Sequence, residues 1–496
     1  MLAKAAQAGR DYFTLIAVQA FSLPLSVAYV SIVARWLGPQ GWGELSLAMA
    51  VIQLFFSLGI SWHAAAVVRF GKEEYRDHFS VGRTFIARGT LLLISLAIAF
   101  VFLQWLGVKG GRFASTVRDY AGLMFFLLCG LAISDHLGWL LKAADRMQAF
   151  AHTLLIRQVF LVGAVALLAK AYLTVPAVLV VESCGYIAVI VYAMIRLRSL
   201  VRLREPPEQS RVRDILKYSW PLLIAYACGY LSNWMDVYFI HYFLNTREIG
   251  IYQSAYRIVD YVRTPLYGIC TVAFPVLMAV RLQEKRSLID FYVRKITPQV
   301  TFIVNLAMLA VMAVSPYLIP ALFGKEFSAA ALPCAVLLAG VGFQVIAIMY
   351  TTIYSVYDWL PYNSAVLILV CIINGIGDIL LIPRMGIMGA AVATALSFAA
   401  GSVGYLVIAN RLLAIKTVKA LCMVIPTFIC AIGILMGGSY FSKVVAWGGA
   451  LLLSFGLARF LRIFEKKDLQ IWEKISLPLG IKQLFRWIYT GFTMGV

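Results

Sequence analysis

The chain has 496 residues, 62% of them hydrophobic and only 13% charged, with a mean hydropathy of +0.86. Soluble domains carry roughly 45–50% apolar and about 25% charged residues, so a soluble globular fold is excluded. The net charge of +20 does not call for a nucleic-acid partner, because Lys and Arg gather on cytoplasmic loops, where they set helix orientation during membrane insertion.

Lys4 and Arg10 precede an apolar run over 12–34, too long for a cleaved signal segment, which reads as a first spanning helix. Stretches of about 20 apolar residues, each able to cross ~30 Å of hydrocarbon, recur to the end of the chain. They predict helices over 11–34, 43–68, 82–106, 119–141, 151–170 and 174–195. After a break come 217–243, 250–280, 296–322, 331–356, 361–381, 388–410, 420–437 and 444–462. The short alternating segments of a membrane β-barrel are absent. The expectation is an all-α polytopic membrane protein of about fourteen spanning helices.

Basic residues support this count. With the N-terminus inside, the inner loops hold Arg69, Lys72, Arg76 and Arg83, then Lys142 and Arg146, then the break at 196–216. Further on, Arg281, Lys285, Arg286, Arg294 and Lys295 share one inner segment, and Arg411, Lys416 and Lys419 another. Both termini are expected in the cytoplasm. The tail, 464–496, mixes Trp, Phe and Leu with Lys and Arg and suits the inner membrane surface.

The break at 196–216 contains Pro206-Pro207 and separates six helices from eight. A repeat crosses it. "LGPQGWGELSLA" (37–48) aligns without gaps to "LNTREIGIYQSA" (244–255), matching Leu37 to Leu244, Gly43 to Gly250 and Ala48 to Ala255. Six-helix repeats of parallel topology are a transporter architecture. The expected organisation is an N-lobe over 1–214, a C-lobe over 215–415, an added helix pair over 416–463 and the tail from 464. The eight cysteines lie in apolar segments, without metal-ligand spacing, and read as small buried hydrophobes.

Charge inside a spanning helix is where function is sought. An ionised group at the centre of a span costs roughly 2.5–3.5 kcal/mol on insertion scales. "GIYQSAYRIVDYVRTPLYGI" (250–269) nevertheless carries Arg257, Asp260 and Arg263. Gln253, Arg257, Asp260 and Thr264 are spaced four, three and four, so they stack on one helix face, as a stripe lining a wet cavity would. A purely structural alternative pairs Arg257 with Asp236, since each lies eight residues from the turn at 244–249. Arg263, before Thr264-Pro265, is placed to satisfy carbonyls that the proline frees. Glu182, Asp378 and the Asp135-His136 pair are further ionisable groups in helices. Glu182, Asp236 and Asp378 are the candidates for ion coupling, although Asp378 lies close enough to the outer boundary to suggest interfacial exposure. No nucleotide-binding P-loop is present: Gly71-Lys72 runs into Glu73 and Gly324-Lys325 into Glu326.

Five stretches in order resemble the polysaccharide-transport branch of the multidrug/oligosaccharidyl-lipid/polysaccharide flippase superfamily. They are "ARWLGPQGWGELSLAMA" (34–50), "LKYSWPLLIAYACGYLSNWMDVYFI" (216–240), "GIYQSAYRIVDYVRTPLYGICTVAFP" (250–275), "LFGKEFSAAALPCAVLLAG" (322–340) and "LIPRMGIMGAAVATALS" (381–397). The resemblance implies two lobes in a V-shaped bundle around a central cavity. It also implies a flippase, not an enzyme, that needs no cofactor. Such a protein moves undecaprenyl-diphosphate-linked oligosaccharide across the bacterial inner membrane by alternating access. Membrane lipids and a polysaccharide polymerase are the implied partners. Cavity arginines receive diphosphate in the related lipid II flippases, and Arg35 and Arg257 match two of them. With Gln253, Asp260 and Arg263 they form the expected substrate-binding set. The arginine those flippases carry in the second helix is missing, since "IQLFFSLG" (52–59) stands there. The alternatives are a lipid II flippase, a cation-coupled multidrug exporter, and a polytopic glycosyltransferase or polymerase.

Overall fold

A computed structural model of the protein describes residues 2–109, 114–168, 172–201, 209–282, 286–415, 417–437 and 439–465. Pro206-Pro207 and most of the tail, 466–496, lie outside the described residues. Among the described residues all regular structure is helical. The α-helices run in order α1 (Leu2–Phe55), α2 (Ala64–His78), α3 (Gly82–Lys109), α4 (Ala114–Ala143), α5 (Met147–Leu167), α6 (Val175–Leu197), α7 (Gln209–Ser219) and α8 (Leu222–Phe243). Then follow α9 (Thr246–Leu282), α10 (Arg286–Phe291), α11 (Thr297–Phe323), α12 (Ala331–Val356), α13 (Leu360–Met385), α14 (Ile387–Leu413), α15 (Lys419–Met436) and α16 (Tyr440–Phe460).

Eleven helical runs among the described residues are long and apolar enough to cross a membrane. One of them, Ala17–His78, has 62 residues and spans ~93 Å, enough for two crossings. It is broken at Gly38, where φ is 67° and ψ 178°, a left-handed conformation that costs a side-chain-bearing residue strain. Pro39 then starts the next helix. With α8 and α9, which bury polar residues and are less apolar, the crossings come to the fourteen expected from the sequence.

Packing divides the chain into two compact units. The first comprises Met1–Ser254 with Pro320–Ser328 and Ile382–Ile387; the second comprises Ala255–Ile319, Ala329–Leu381 and Met388–Val496. The chain passes from one to the other inside α9. Within the first unit α1 packs on α5 and α4 on both α3 and α6. At its basic end, Val67, Val81, Leu140, Leu141 and Leu197 form a buried cluster. The amphipathic α7 seats Ile215 against Ala66 and Ala87. Glu74 of α2 is buried there because it caps α3, accepting from the backbone N–H of Arg83 and of Thr84, both at 2.9 Å.

The repeated segments meet in the first unit. A Cβ on Gly43 would overlap the carbonyl of Thr246, and one on Gly250 would overlap the carbonyl of Pro39. Pro39 and Thr246 occupy equivalent places in the repeat, as do Gly43 and Gly250. The contact is therefore reciprocal, each segment laying its glycine on the other's first helical turn. In the second unit, α11, α15 and α16 bury Phe302, Met423, Ala458, Ile463 and Phe464 together. There α14 approaches α12 and α13 closely, Ala395 against Gly340 and Ala393 against Gly377.

Candidate functional site

On α9 the structure sorts the mid-helix charges. Asp260 accepts a charge-assisted hydrogen bond from Nη2 of Arg263. The Arg263 guanidinium lies 5.7 Å from the centre of the Tyr256 ring, and its Nη1 is 3.5 Å from Oε1 of Gln344 on α12. Arg263 is thus tied to an acid and an aromatic ring. The Asp260 carbonyl takes the Thr264 hydroxyl at 2.7 Å. Gln253 is buried. Arg257 is half-buried, and it makes no hydrogen bond, ion pair or ring contact among the described residues. Its Nε is buried without a partner. Three charges thus resolve into one neutralised pair and one uncommitted cation.

The first unit accounts for three more candidates. Arg35 follows Ala34 near the end of the first crossing, is exposed, and donates from Nη2 to the carbonyl of Ala321. That carbonyl belongs to the last turn of α11, where carbonyls lack helical partners. The next residues complete the fastening: Gly324 bends at φ +110° beside the Arg35 side chain, and Glu326 lies against Gly38. Asp236 is buried on α8 and accepts from the hydroxyl of Tyr252. Glu182 of α6 accepts from Tyr29 of α1 at 2.9 Å and from Nη2 of Arg157 on α5.

Arg157 and Arg88 were missed in the sequence. Each is an arginine inside a helix and the counterion of an acid that the sequence did reveal. Arg88, with a side chain 0% exposed, donates to Asp135 at 2.6 Å, and its Nε lies 3.4 Å from Nδ1 of His63. Trp139 donates to the other Asp135 oxygen at 2.9 Å. His63 closes a short 3-10 turn after a π turn at Phe56–Ile60, an irregularity of the kind found at functional positions. The signal was arithmetic: a membrane-embedded acid asks for a cation on a neighbouring helix.

Asp378 departs from expectation. Its position along the chain suggests interfacial exposure, yet it is 0% exposed, because α14 covers its face of α13. Asn374 donates to its Oδ2 at 3.1 Å, and the Ser397 hydroxyl of α14 lies 3.4 Å from Oδ1 of Asn374. No group of three or more His, Cys, Asp or Glu that could hold a metal occurs among the described residues.

The arrangement offers arginine forks, which carry donors only and suit anionic oxygens. A family model described as polysaccharide biosynthesis protein matches residues 8–281. The probable low-salt glycan biosynthesis flippase Agl15 of Haloferax volcanii is 23% identical over 398 residues, covering 79% of this chain and 82% of that protein. Among solved structures, a lipid II flippase, MurJ, in an inward closed conformation superposes with a TM-score of 0.66 at 14% identity, covering 90% of this chain and 98% of that one. An inward-facing multidrug-resistance MATE transporter of the MOP superfamily gives 0.65 at 14% identity, covering 81% and 98%.

Proposed function

The chain belongs to the polysaccharide biosynthesis protein family, within the multidrug/oligosaccharidyl-lipid/polysaccharide flippase superfamily, and from that premise we propose that it flips undecaprenyl-diphosphate-linked oligosaccharide repeat units. The sugar and diphosphate cross from the cytoplasmic to the outer leaflet by alternating access without ATP hydrolysis, while the polyprenyl tail stays in lipid. A membrane polymerase then consumes the product. The name of the Haloferax relative, a glycan biosynthesis flippase, points the same way.

One observation carries the reading. Arg257 holds a half-buried guanidinium in a spanning helix with no partner among the described residues. A membrane protein bears the insertion cost of such a group when a ligand will neutralise it. Its planar fork matches the oxygens of a diphosphate. Arg35, Gln253 and the Asp260–Arg263 pair complete the proposed substrate set, Arg35 once it has left the Ala321 carbonyl.

Without ATP hydrolysis, uphill transport draws on an ion gradient, on the membrane potential or on removal of the product. Glu182 accepts from Arg157 and Tyr29, Asp236 from Tyr252 and Asp378 from Asn374, and these three acids are the carboxylates we assign to ion coupling. Asp378→Asn should keep substrate binding but lose the dependence of flipping on an imposed ion gradient in vesicles.

The test of the whole reading is cellular. Cells lacking the protein should accumulate lipid-linked repeat units on the cytoplasmic leaflet with normal sugar-transferase activity. Absence of the lipid-linked intermediate altogether would mean that the protein acts in synthesis, and the enzyme alternative would win.

A further inference from the structure

Arg157 is the eleventh residue of the 21-residue α5 (Met147–Leu167), so it lies about 15 Å from the start of the helix, near mid-span. This is the costliest depth for a charge. The side chain is held on two sides. Glu182 accepts from Nη2, and the Tyr186 ring lies under the guanidinium, 4.5 Å from its carbon to the ring centre. Glu182 is itself fixed by the Tyr29 hydroxyl at 2.9 Å, so helices α1, α5 and α6 all contribute to the setting.

An ion pair made only to neutralise would use both forks of the guanidinium and exclude water. This one does not. The Arg157 side chain keeps 24% of its surface exposed against 9% for Glu182. Its Nε is buried with no hydrogen-bond partner. Its Nη1 is neither among the buried unpartnered atoms nor engaged by any described residue. The cation therefore presents an unused donor edge, oriented by an acid and an aromatic ring behind it.

A guanidinium has donors and no acceptor, and its strong partners are anionic oxygens. We propose that Arg157 is a second anion subsite, taking an oxygen-borne negative charge of the transported molecule, with Glu182 and Tyr186 as its positioning residues. The inference rests on the flippase reading above for the identity of that molecule. The charge comes either from the lipid's diphosphate or from a sugar carboxylate. Because Glu182 already offsets part of the positive charge, the subsite holds its ligand less tightly than a lone arginine would, as a carrier that must release its cargo requires.

The test uses the purified full-length protein in lipid nanodiscs and two probes, undecaprenyl diphosphate and galacturonate. Arg157→Gln should weaken one of them by about tenfold or more, the loss expected for a charge-assisted hydrogen bond. Which probe responds identifies the source of the charge. Arg157→Lys should bind between the wild type and Arg157→Gln. Glu182→Gln keeps an oxygen acceptor that orients Nη2 but removes the offsetting charge, so it should bind more tightly than wild type. If Arg157→Gln folds poorly, the double variant Arg157→Gln/Glu182→Gln removes both charges together and should show the same weakening. The exchanged pair Arg157→Glu/Glu182→Arg should restore protein level without restoring binding.

Wild-type affinity for both probes in Arg157→Gln, in the double Gln variant or in the exchanged pair would overturn the proposal. Arg257→Gln is measured alongside. Weakening there with none in Arg157→Gln leaves the flippase reading standing and ends this one. Weakening in Arg157→Gln alone supports the subsite and removes Arg257 from the diphosphate.

Discussion

Asp260 lies three residues from Arg257 and three from Arg263, yet it takes only the second. Spacing alone could not choose between them, but helix polarity does. An acid placed N-terminal to its base is the better orientation, because the pair then opposes the helix dipole. Tyr256 and Gln344 confirm the choice by receiving the rest of the Arg263 guanidinium. The stripe of polar residues was therefore legible in the sequence, as was the preferred order of its pairing, whereas the contact of Arg263 with Gln344 depends on how α12 lies beside α9. Two outcomes follow at this scale. Asp260→Asn removes the carboxylate that neutralises a mostly buried arginine, a change that costs roughly 3–5 kcal/mol, so the melting temperature in detergent should fall; Asp260→Asn/Arg263→Gln should recover much of the loss. Arg257→Gln should melt as wild type does but flip substrate at least about tenfold more slowly in vesicles, the loss of a charge-assisted contact. Arg257→Lys should keep partial activity, since charge survives without the bidentate fork. A melting point lowered in Arg257→Gln as much as in Asp260→Asn would show that Arg257 is structural.

At the level of elements, hydropathy located the spans because burial in lipid leaves no other pattern available. It could not assign faces. Asp378 was read as exposed from its depth along α13, but depth says nothing about rotation, and α14 buries that side of the helix. Nor did it foresee that α1 runs to Phe55 through a bend at Gly38, although a Gly-Pro step is a breaker in any setting. The glycine repeat was the most informative short signal, since Gly43 and Gly250 face one another's segments with no room for a side chain. The obstructing atoms are backbone carbonyls, which cannot rotate away as a side chain could. Gly43→Val and Gly250→Val should each destabilise the protein by about 1–3 kcal/mol or more, read as lost folded material on size exclusion and a lowered melting point. Gly89→Ala is the control. A Cβ there meets nothing, and its higher helix propensity should leave stability unchanged or raise it by up to about 1 kcal/mol. Equal behaviour of all three would refute the close approach.

For the molecule as a whole, the charge of +20 is explained by topology before any partner is invoked. The basic inner loops imply that residues 1–10, 196–216 and 464–496 face the cytoplasm and that 35–42 and 244–249 lie outside. Cysteine labelling from either side of the membrane should show this, and termini on opposite faces would require an odd number of crossings and defeat the two-lobe scheme. What the sequence could not reveal is that Pro320–Ser328, far along the chain, packs with the first unit. It is fastened by Arg35 to a helix-end carbonyl, and a side chain bonded to backbone leaves no complementary residue to find. The same contact shows why sequence resemblance could name Arg35 without revealing its partner: its Nη2 donates to the protein's own backbone.

The reciprocal seat of Gly43 on Thr246 and of Gly250 on Pro39 has a genealogical consequence. When residue i touches j and the equivalent of j touches the equivalent of i, the arrangement is that of a two-fold homodimer, here made by one polypeptide. Such a contact is what duplication of a gene encoding one half would leave, with the stretch around Pro206-Pro207 as the join. If so, the join is a convenience of synthesis: residues 1–205 and 208–496, expressed as two polypeptides from two genes, should find each other in the membrane and complement a strain lacking the intact protein.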